Sequence, residues 1–195
     1  MMIERIIIMQ KYYHMTIAGL KRDLPICRLN DELCIAGFVI FGDTELTTAC
    51  SAELLKKAPE FDYMLTAESK GIPLAHEMCR QAGNRKYFLA RKSPKLYMPE
   101  VVKVTVKSIT TEAVQNLFLD RADMNEMKGK KILIVDDVIS TGESMRALEK
   151  LVEEAGGIVC GRMAILAEGD AIARKDITYL EPLPLFNKDG QPLPY

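Results

Sequence analysis

The chain has 195 residues, 48% of them hydrophobic and 27% charged, with a formal net charge of −1. That length suits one sizeable core, and the near-neutral balance argues against binding to nucleic acid or an anionic membrane through a basic excess. No apolar run approaches the ~20 residues that span a bilayer. Met1 to Gln10 carry Glu4 and Arg5 before a short apolar stretch and no small-residue cleavage site, so no signal peptide is expected. The five cysteines (Cys27, Cys34, Cys50, Cys79 and Cys160) form no C-x-x-C pair, and only His14 and His76 can join them in a metal site. They read as thiols of a reducing cytoplasm rather than disulfides or zinc ligands. The eleven methionines read as core filler.

In chain order, residues 1–42 mix apolar and polar positions, with "KRDLP" and "RLND" as turn punctuation. Asp43 can cap a helix through about Lys57, with Leu46, Cys50, Leu54 and Lys57 on one stripe, and Pro59 forbids its continuation. "FDYMLTA" (61–67) is β-prone. Gly71-Ile72-Pro73 opens a second helix that carries Ile72, Ala75, Met78, Cys79 and Ala82 inward and stops at Gly83. "KYFLAR" (86–91) is a strand, and the twice proline-broken "KSPKLYMPE" (92–100) is a loop. "VVKVTVKSI" (101–109) alternates as a half-exposed strand does and can pair with "AVQNLFLD" (113–120) as a hairpin. "KKILIVDD" (130–137) is a continuous apolar run suited to a strand buried on both faces. Gly142 to Ala155 form a helix with Met145, Leu148, Leu151, Val152 and Ala155 inward, ended by Gly156-Gly157, and "IVCGRMAILA" (158–167) is the next strand. Strand, helix, strand at this spacing predicts a right-handed crossover and a parallel sheet. The tail from Pro182 to Tyr195 has four prolines and reads as extended.

The stretch "ILIVDDVISTGES" (132–144) carries the chemistry. Ligands of a parallel α/β sheet bind beyond the carboxyl ends of its strands, which is where Asp136 and Asp137 fall. Ser140-Thr141-Gly142 fall where the next helix begins, and helix N-termini with free N–H groups and hydroxyls bind phosphate. Two carboxylates would repel that phosphate, so they must face another group. A vicinal diol, which donates two hydrogen bonds, fits acceptor-only carboxylates. The combination describes a ribose 5-phosphate pocket. Ser140-x-x-Glu143 also matches a capping box, in which an acid in the first turn needs no ligand.

This stretch resembles the 5-phosphoribosyl-1-pyrophosphate (PRPP) motif of type I phosphoribosyltransferases. Around it, "AESKG" (67–71) resembles the family's pyrophosphate loop, and "ARKSPKL" (90–96) is similar to the start of the mobile loop of adenine-type enzymes. Together these matches extend over about residues 60–168. The resemblance implies a three-layer α/β/α fold with a mainly parallel central sheet and a small N-terminal hood. One domain is expected over 1–195: hood and first helix at 1–60, a PRPP-binding core at 61–168 and a C-terminal extension at 169–195.

The reaction that the resemblance implies displaces pyrophosphate from C1 of ribose through a cationic sugar. Asp136 and Asp137 would be the catalytic pair, holding the ribose hydroxyls and complementing the cation. Ser140, Thr141, Gly142, Glu143 and Ser144 would hold the 5-phosphate. Ser69, Lys70, Gly71, Arg91, Lys92 and Lys95 would hold the pyrophosphate, with Mg²⁺ sharing the load and Asp136 and Asp137 serving that ion indirectly. Ile35, Phe38 and Val39 of the hood, with Glu168, would bind the base. Two departures stand out: Glu143 occupies a position where glycine is common, and Ser108, Thr110 and Thr111 are closer to xanthine-type enzymes.

The expected activity is a purine phosphoribosyltransferase of salvage, cytoplasmic and homodimeric, with PRPP and a purine base as substrates. Adenine is favoured because Ala167-Glu168-Gly169-Asp170 offers acceptors to an amine, with no cation nearby in sequence until Arg174 and Lys175. The alternatives are a xanthine or hypoxanthine/guanine enzyme, or a PRPP-sensing regulator related to purine repressors. The regulator would need a DNA-binding domain, and no helix-turn-helix pattern or basic excess is visible.

Overall fold

A computed structural model describes residues 11–107 and 114–195, with the side chains of residues 106, 107, 114 and 115 left out. The readings of Met1 to Gln10 and of Ser108, Thr110 and Thr111 lie outside the described residues.

Three strands open the chain: β1 (Tyr12–Ile17), β2 (Leu20–Arg28) and β3 (Leu33–Ala36). Ala18 and Gly19 both take positive φ, 49° and 80°, and close a two-residue hairpin between β1 and β2, the geometry that matches strand twist. "KRDLP" is therefore strand rather than turn. Pro25 is tolerated because β2 changes partner there: residues 20–25 pair with β1 and residues 26–28 with β3. "RLND" does turn the chain, with Asn30 Oδ1 accepting from the Glu32 and Leu33 amides at 2.9 and 2.8 Å.

Helix α1 (Thr44–Leu55) starts as its sequence predicts. Asp43 caps it by accepting from the Leu46 amide at 3.0 Å. Arg22 of β2 also reaches Asp43 Oδ2, at 2.6 Å, which ties the hood to this helix. Strand β4 (Tyr63–Ala67) leads to α2 (Gly71–Ala82), which ends on a left-handed Gly83. Leu74 joins Ala75, Met78 and Cys79 on its buried face, while Ala82 is exposed, which corrects the expected stripe by one position. β5 (Phe88–Ala90) follows, then the hairpin β6 (Val101–Lys107) and β7 (Val114–Asp120), then α3 (Arg121–Met127).

Strand β8 (Lys131–Ile139), helix α4 (Glu143–Glu154) and strand β9 (Ile158–Glu168) make the crossover. A five-residue 3₁₀ turn (Gly169–Ala173) leads to β10 (Thr178–Leu183) and a short β11 (Phe186–Asn187). The central sheet is parallel, in the order β10-β9-β8-β4-β5. On β8, Ile132 and Ile134 face a core with α3, α4 and the β6–β7 hairpin, while Leu133 and Val135 face a core with α1, α2 and the hood. This alternation is why the run "ILIV" has no polar member. The hood sheet has the order β1-β2-β3-β11. Its last strand comes from the far end of the chain, so the extended C-terminal tail is part of the hood. All five cysteines are free thiols. No helix among the described residues is long and apolar enough to cross a membrane.

Candidate active site

A cleft of about 510 Å³ opens at the carboxyl ends of β4 and β8, lined by Ala67 to Lys70, Lys92, Asn116, Leu117, Asp136 to Val138 and Ser144. A smaller hollow of about 120 Å³ adjoins it, lined by Asp136 and by Val138 through Met145. The two share Asp136, Val138 and Ser144. Strand β8 thus delivers both carboxylates to the cleft, and the β8–α4 turn forms the hollow at its side.

The adjacent carboxylates differ because neighbouring residues on a strand point to opposite faces. Asp137 is 4% exposed and its Oδ2 lies 2.8 Å from Lys70 Nζ. The same ammonium donates to the Phe38 carbonyl of the hood at 3.3 Å. Asp136 Oδ1 accepts from the Asp137 amide at 2.9 Å. Burial, and then the neighbouring Asp137 charge, push the Asp136 carboxyl well above the ordinary range. Gly71 approaches this pair closely. A Cβ there would collide with Thr66 Oγ1 and lie 3.0 Å from Asp136 Oδ1, so only glycine lets α2 begin against the carboxylates.

The "AESKG" loop supplies Ser69 and Lys70 to the lining, and its Glu68–Ser69 peptide is cis. Glu68 itself is a residue the sequence reading left aside. Its Oε2 accepts from the Lys92 amide at 2.9 Å and its Oε1 pairs with Arg91 Nη2 at 3.2 Å. The Lys92 amide, with smaller help from Arg91, Lys95 and Lys92 charges, holds the Glu68 carboxyl below its usual value. Of the three loop cations, Lys92 lines the cleft, Arg91 is engaged by Glu68, and Lys95 bonds Ser93 Oγ at 3.0 Å outside the lining. Asn116 and Leu117 of β7 form a wall that local sequence did not reveal, because only the hairpin's packing carries them there.

At the hollow, the capping box is not formed. Gly142, at φ +75°, is the N-cap of α4 and Glu143 is its first residue. The Ser140 hydroxyl instead hydrogen-bonds Glu168 at the end of β9, which is 9% exposed and whose carboxyl burial pushes upward despite that bond. The base-site candidates are dispersed. Phe38 is 4% exposed with its ring in the hood-side core, so its carbonyl, rather than its ring, meets Lys70. Val39 is 59% exposed beside it, and Ile35 is half-buried on β3. None of these three lines the cleft. A separate apolar hollow of about 390 Å³ follows Glu168, lined by Gly169, Asp170, Ile172, Ala173, Leu185 and Leu193 to Tyr195.

Residues 47–182 match the family model described as phosphoribosyl transferase domain. The chain belongs to the phosphoribosyltransferase family. It is 32% identical over 135 residues to an adenine phosphoribosyltransferase of Petrotoga mobilis, covering 67% of this chain and 66% of that protein. It is 32% identical over 113 residues to a hypoxanthine/guanine phosphoribosyltransferase of Methanohalophilus mahii, covering 58% and 55%. The matched segment thus spans somewhat over half of these relatives' length. The adenine phosphoribosyltransferase of Trypanosoma brucei, solved with AMP, pyrophosphate and ribose-5-phosphate, is 17% identical with a TM-score of 0.60, covering 88% of this chain and 76% of that one. At that identity the likeness is one of fold: the parallel sheet with its helices is the type I phosphoribosyltransferase fold.

Proposed function

We propose that the protein transfers the 5-phosphoribosyl group of PRPP to a free purine, adenine in preference, releasing pyrophosphate and a nucleoside monophosphate. The observation that carries this reading is the Asp136–Asp137 pair set between a Lys70-bearing loop and the turn Ser140–Ser144. Positive charge developing at C1 of the sugar is met by the Asp137 carboxylate, and by Asp136 once a nearby cation favours loss of its proton, in a site of low dielectric. The Ser140–Ser144 turn offers amides and hydroxyls to the 5-phosphate. Ser69, Lys70, Gly71 and Lys92, with Arg91 and Lys95 from the loop, serve the pyrophosphate.

In this reading Lys70 exchanges its Asp137 partner for the pyrophosphate when PRPP enters. That exchange frees Asp137 for the ribose hydroxyls. Among the described residues no group of three or more His, Cys, Asp and Glu is placed to hold a metal. The donor set therefore suits a Mg²⁺ held mainly by substrate oxygens and water, with Asp136 and Asp137 accepting from that water. When bound, the ion would neutralise pyrophosphate charge.

Adenine is favoured because the end of β9 offers acceptors, Glu168 and Asp170, rather than a donor for a 6-oxo group. A buried polar group left unpaired costs ~1–3 kcal/mol. The apolar hollow after Glu168 gives the ring a candidate wall. The reading includes a cytoplasmic homodimer, and the five free thiols support a reducing compartment.

The test is a panel of free bases assayed with PRPP and Mg²⁺ for pyrophosphate release, run beside Asp137→Asn. Adenine should lead the panel, and Asp137→Asn should lose ~10²–10³ in kcat, the usual loss for one oriented electrostatic contact. Xanthine or hypoxanthine turned over at roughly tenfold the efficiency of adenine would reverse the base assignment, since tenfold corresponds to about one such mispaired contact. A folded Asp137→Asn protein with full activity would remove the carboxylates from the chemistry.

A further inference from the structure

Arg174 is six residues past the end of β9 in sequence, yet the 3₁₀ turn folds it back against Gly142, one of the residues that line the phosphate hollow. Its amide donates to the Ala171 carbonyl at 3.1 Å, closing the turn. Its side chain then runs to Gly142, the left-handed N-cap of α4. A Cβ on Gly142 would collide with Arg174 Nη1 and lie 3.7 Å from Cζ. The guanidinium is not loose. Nε and Nη2 grip Asp176 at 2.9 and 2.6 Å, and the side chain is 26% exposed.

The anchor extends further. Asp176 Oδ2 lies 3.9 Å from Arg162 Nε on β9, and Arg162 in turn pairs with Glu149 of α4. The chain of charges Arg174–Asp176–Arg162–Glu149 therefore begins against Gly142, the N-cap of α4, and ends on the second turn of α4 itself. Its two ends clamp the helix whose N-terminus makes the hollow. With Nε and Nη2 committed to Asp176, the Nη1 hydrogens are the part of the fork turned to the Gly142 turn. The residues lining that hollow include two carboxylates, Asp136 and Glu143, and no cation. A dianionic phosphate there gains from the nearest fixed positive charge, and a planar fork locked by a carboxylate loses little freedom in supplying it.

We propose that Arg174 is a positioning residue of the phosphate hollow: braced by Asp176, it holds the left-handed turn at Gly142 and adds positive charge beside the bound 5-phosphate. This rests on the reading of the hollow as a 5-phosphate site and goes beyond it by naming a residue outside the PRPP motif. Glycine at position 142 is then required twice, by its positive φ and by the guanidinium packed against it.

The test uses the full chain and its Arg174→Gln, Arg174→Lys and Asp176→Asn variants, with ribose 5-phosphate titrated by calorimetry and PRPP and adenine kinetics measured separately. Arg174→Gln should weaken ribose 5-phosphate binding and raise KM for PRPP by about tenfold to a hundredfold, the range for a lost charged hydrogen bond. KM for adenine and kcat should stay within about threefold, since the contact is not special to the transition state. Arg174→Lys should recover part of the loss through its charge, and Asp176→Asn should reproduce part of it by freeing the fork. A purely structural strut would lower the melting temperature without this split between PRPP and adenine. A folded Arg174→Gln protein that binds ribose 5-phosphate as the parent does overturns the proposal. Should Arg174→Gln not fold, unaltered ribose 5-phosphate binding in both Arg174→Lys and Asp176→Asn overturns it equally. A parent protein that binds neither ribose 5-phosphate nor PRPP overturns the 5-phosphate reading itself, and Arg174 with it.

Discussion

Two carboxylates one residue apart in sequence have different surroundings here. Asp137 is buried against the Lys70 ammonium, while Asp136 loses hydration without a cation of its own and has Asp137 beside it. The folded protein therefore favours protonated Asp136, and the unfolded chain gives that proton up in the ordinary carboxylate range. Because the folded state binds the extra proton, stability falls as pH rises from that range through the raised folded value. Asp136→Asn removes this penalty. Its melting temperature should exceed the parent's by a margin that widens from acidic toward alkaline pH, alongside lost activity. Parallel melting curves across the pH series would show that Asp136 pays no such cost of desolvation. Gly71 is the second residue-scale constraint, since any side chain there strikes Thr66 and crowds Asp136.

Helix α4 shows how an element can be read correctly and its start misread. Its buried stripe of Met145, Leu148, Leu151 and Val152 appears as the 3.6-residue period predicts. The capping box does not, because the helix starts two residues later than it requires: Gly142 is the N-cap and Glu143 the first helical residue, so neither Ser140 nor Glu143 occupies a box position. Glu143 stands in the first turn, where the helix dipole favours its charge, and it lines the hollow. Glu143→Gln is expected to cost only ~0.3–1 kcal/mol of stability, the worth of a charge in a first helical turn. It should bind ribose 5-phosphate at least as tightly as the parent, as a negative charge leaves the phosphate's surroundings. Chemical denaturation and calorimetry on the one variant check both halves. A marked loss of affinity would mean that the carboxylate itself helps to hold the ligand.

At the scale of the molecule, the hood depends on both ends of the described chain. Phe186 of β11 pairs with Cys34 of β3, is 1% exposed and meets the Tyr13 ring edge-on at 5.1 Å. The hood core runs on without a break into α1, α2 and one face of the central sheet. Phe186→Ala should therefore destabilise the protein by ~3–5 kcal/mol, as for a large aromatic removed from a packed core. Limited proteolysis should find its first new cuts in the tail after Pro184 and in β1–β3. A loss well under about 1 kcal/mol would mean that the tail only decorates a hood that stands alone, since surface changes stay within about half that.

The sequence by itself determined the parts whose signal is local. A period of 3.6 marked the buried stripes of α1, α2 and α4, and an unbroken apolar run marked β8 as covered on both faces. The order Asp-Asp, two spacers, Ser-Thr-Gly placed carboxylates at a strand end and a turn at a helix start. Glycine and proline punctuated the helices at Gly83, Gly156 and Pro59. What the tertiary structure decided involves residues far apart in the chain. The β1–β3 strands form where the sequence only mixes apolar and polar positions, and β11 becomes a strand only because β3 offers it an edge. Asn116 reaches the cleft through hairpin packing, and Phe38 brings a carbonyl rather than a ring to Lys70. Arg174, remote from the motif in sequence, lies against Gly142 because a five-residue turn reverses the chain. Backbone periodicity is written in neighbouring residues, whereas the partner of a hydroxyl, an ammonium or a guanidinium is fixed only when separate elements compete for it in space.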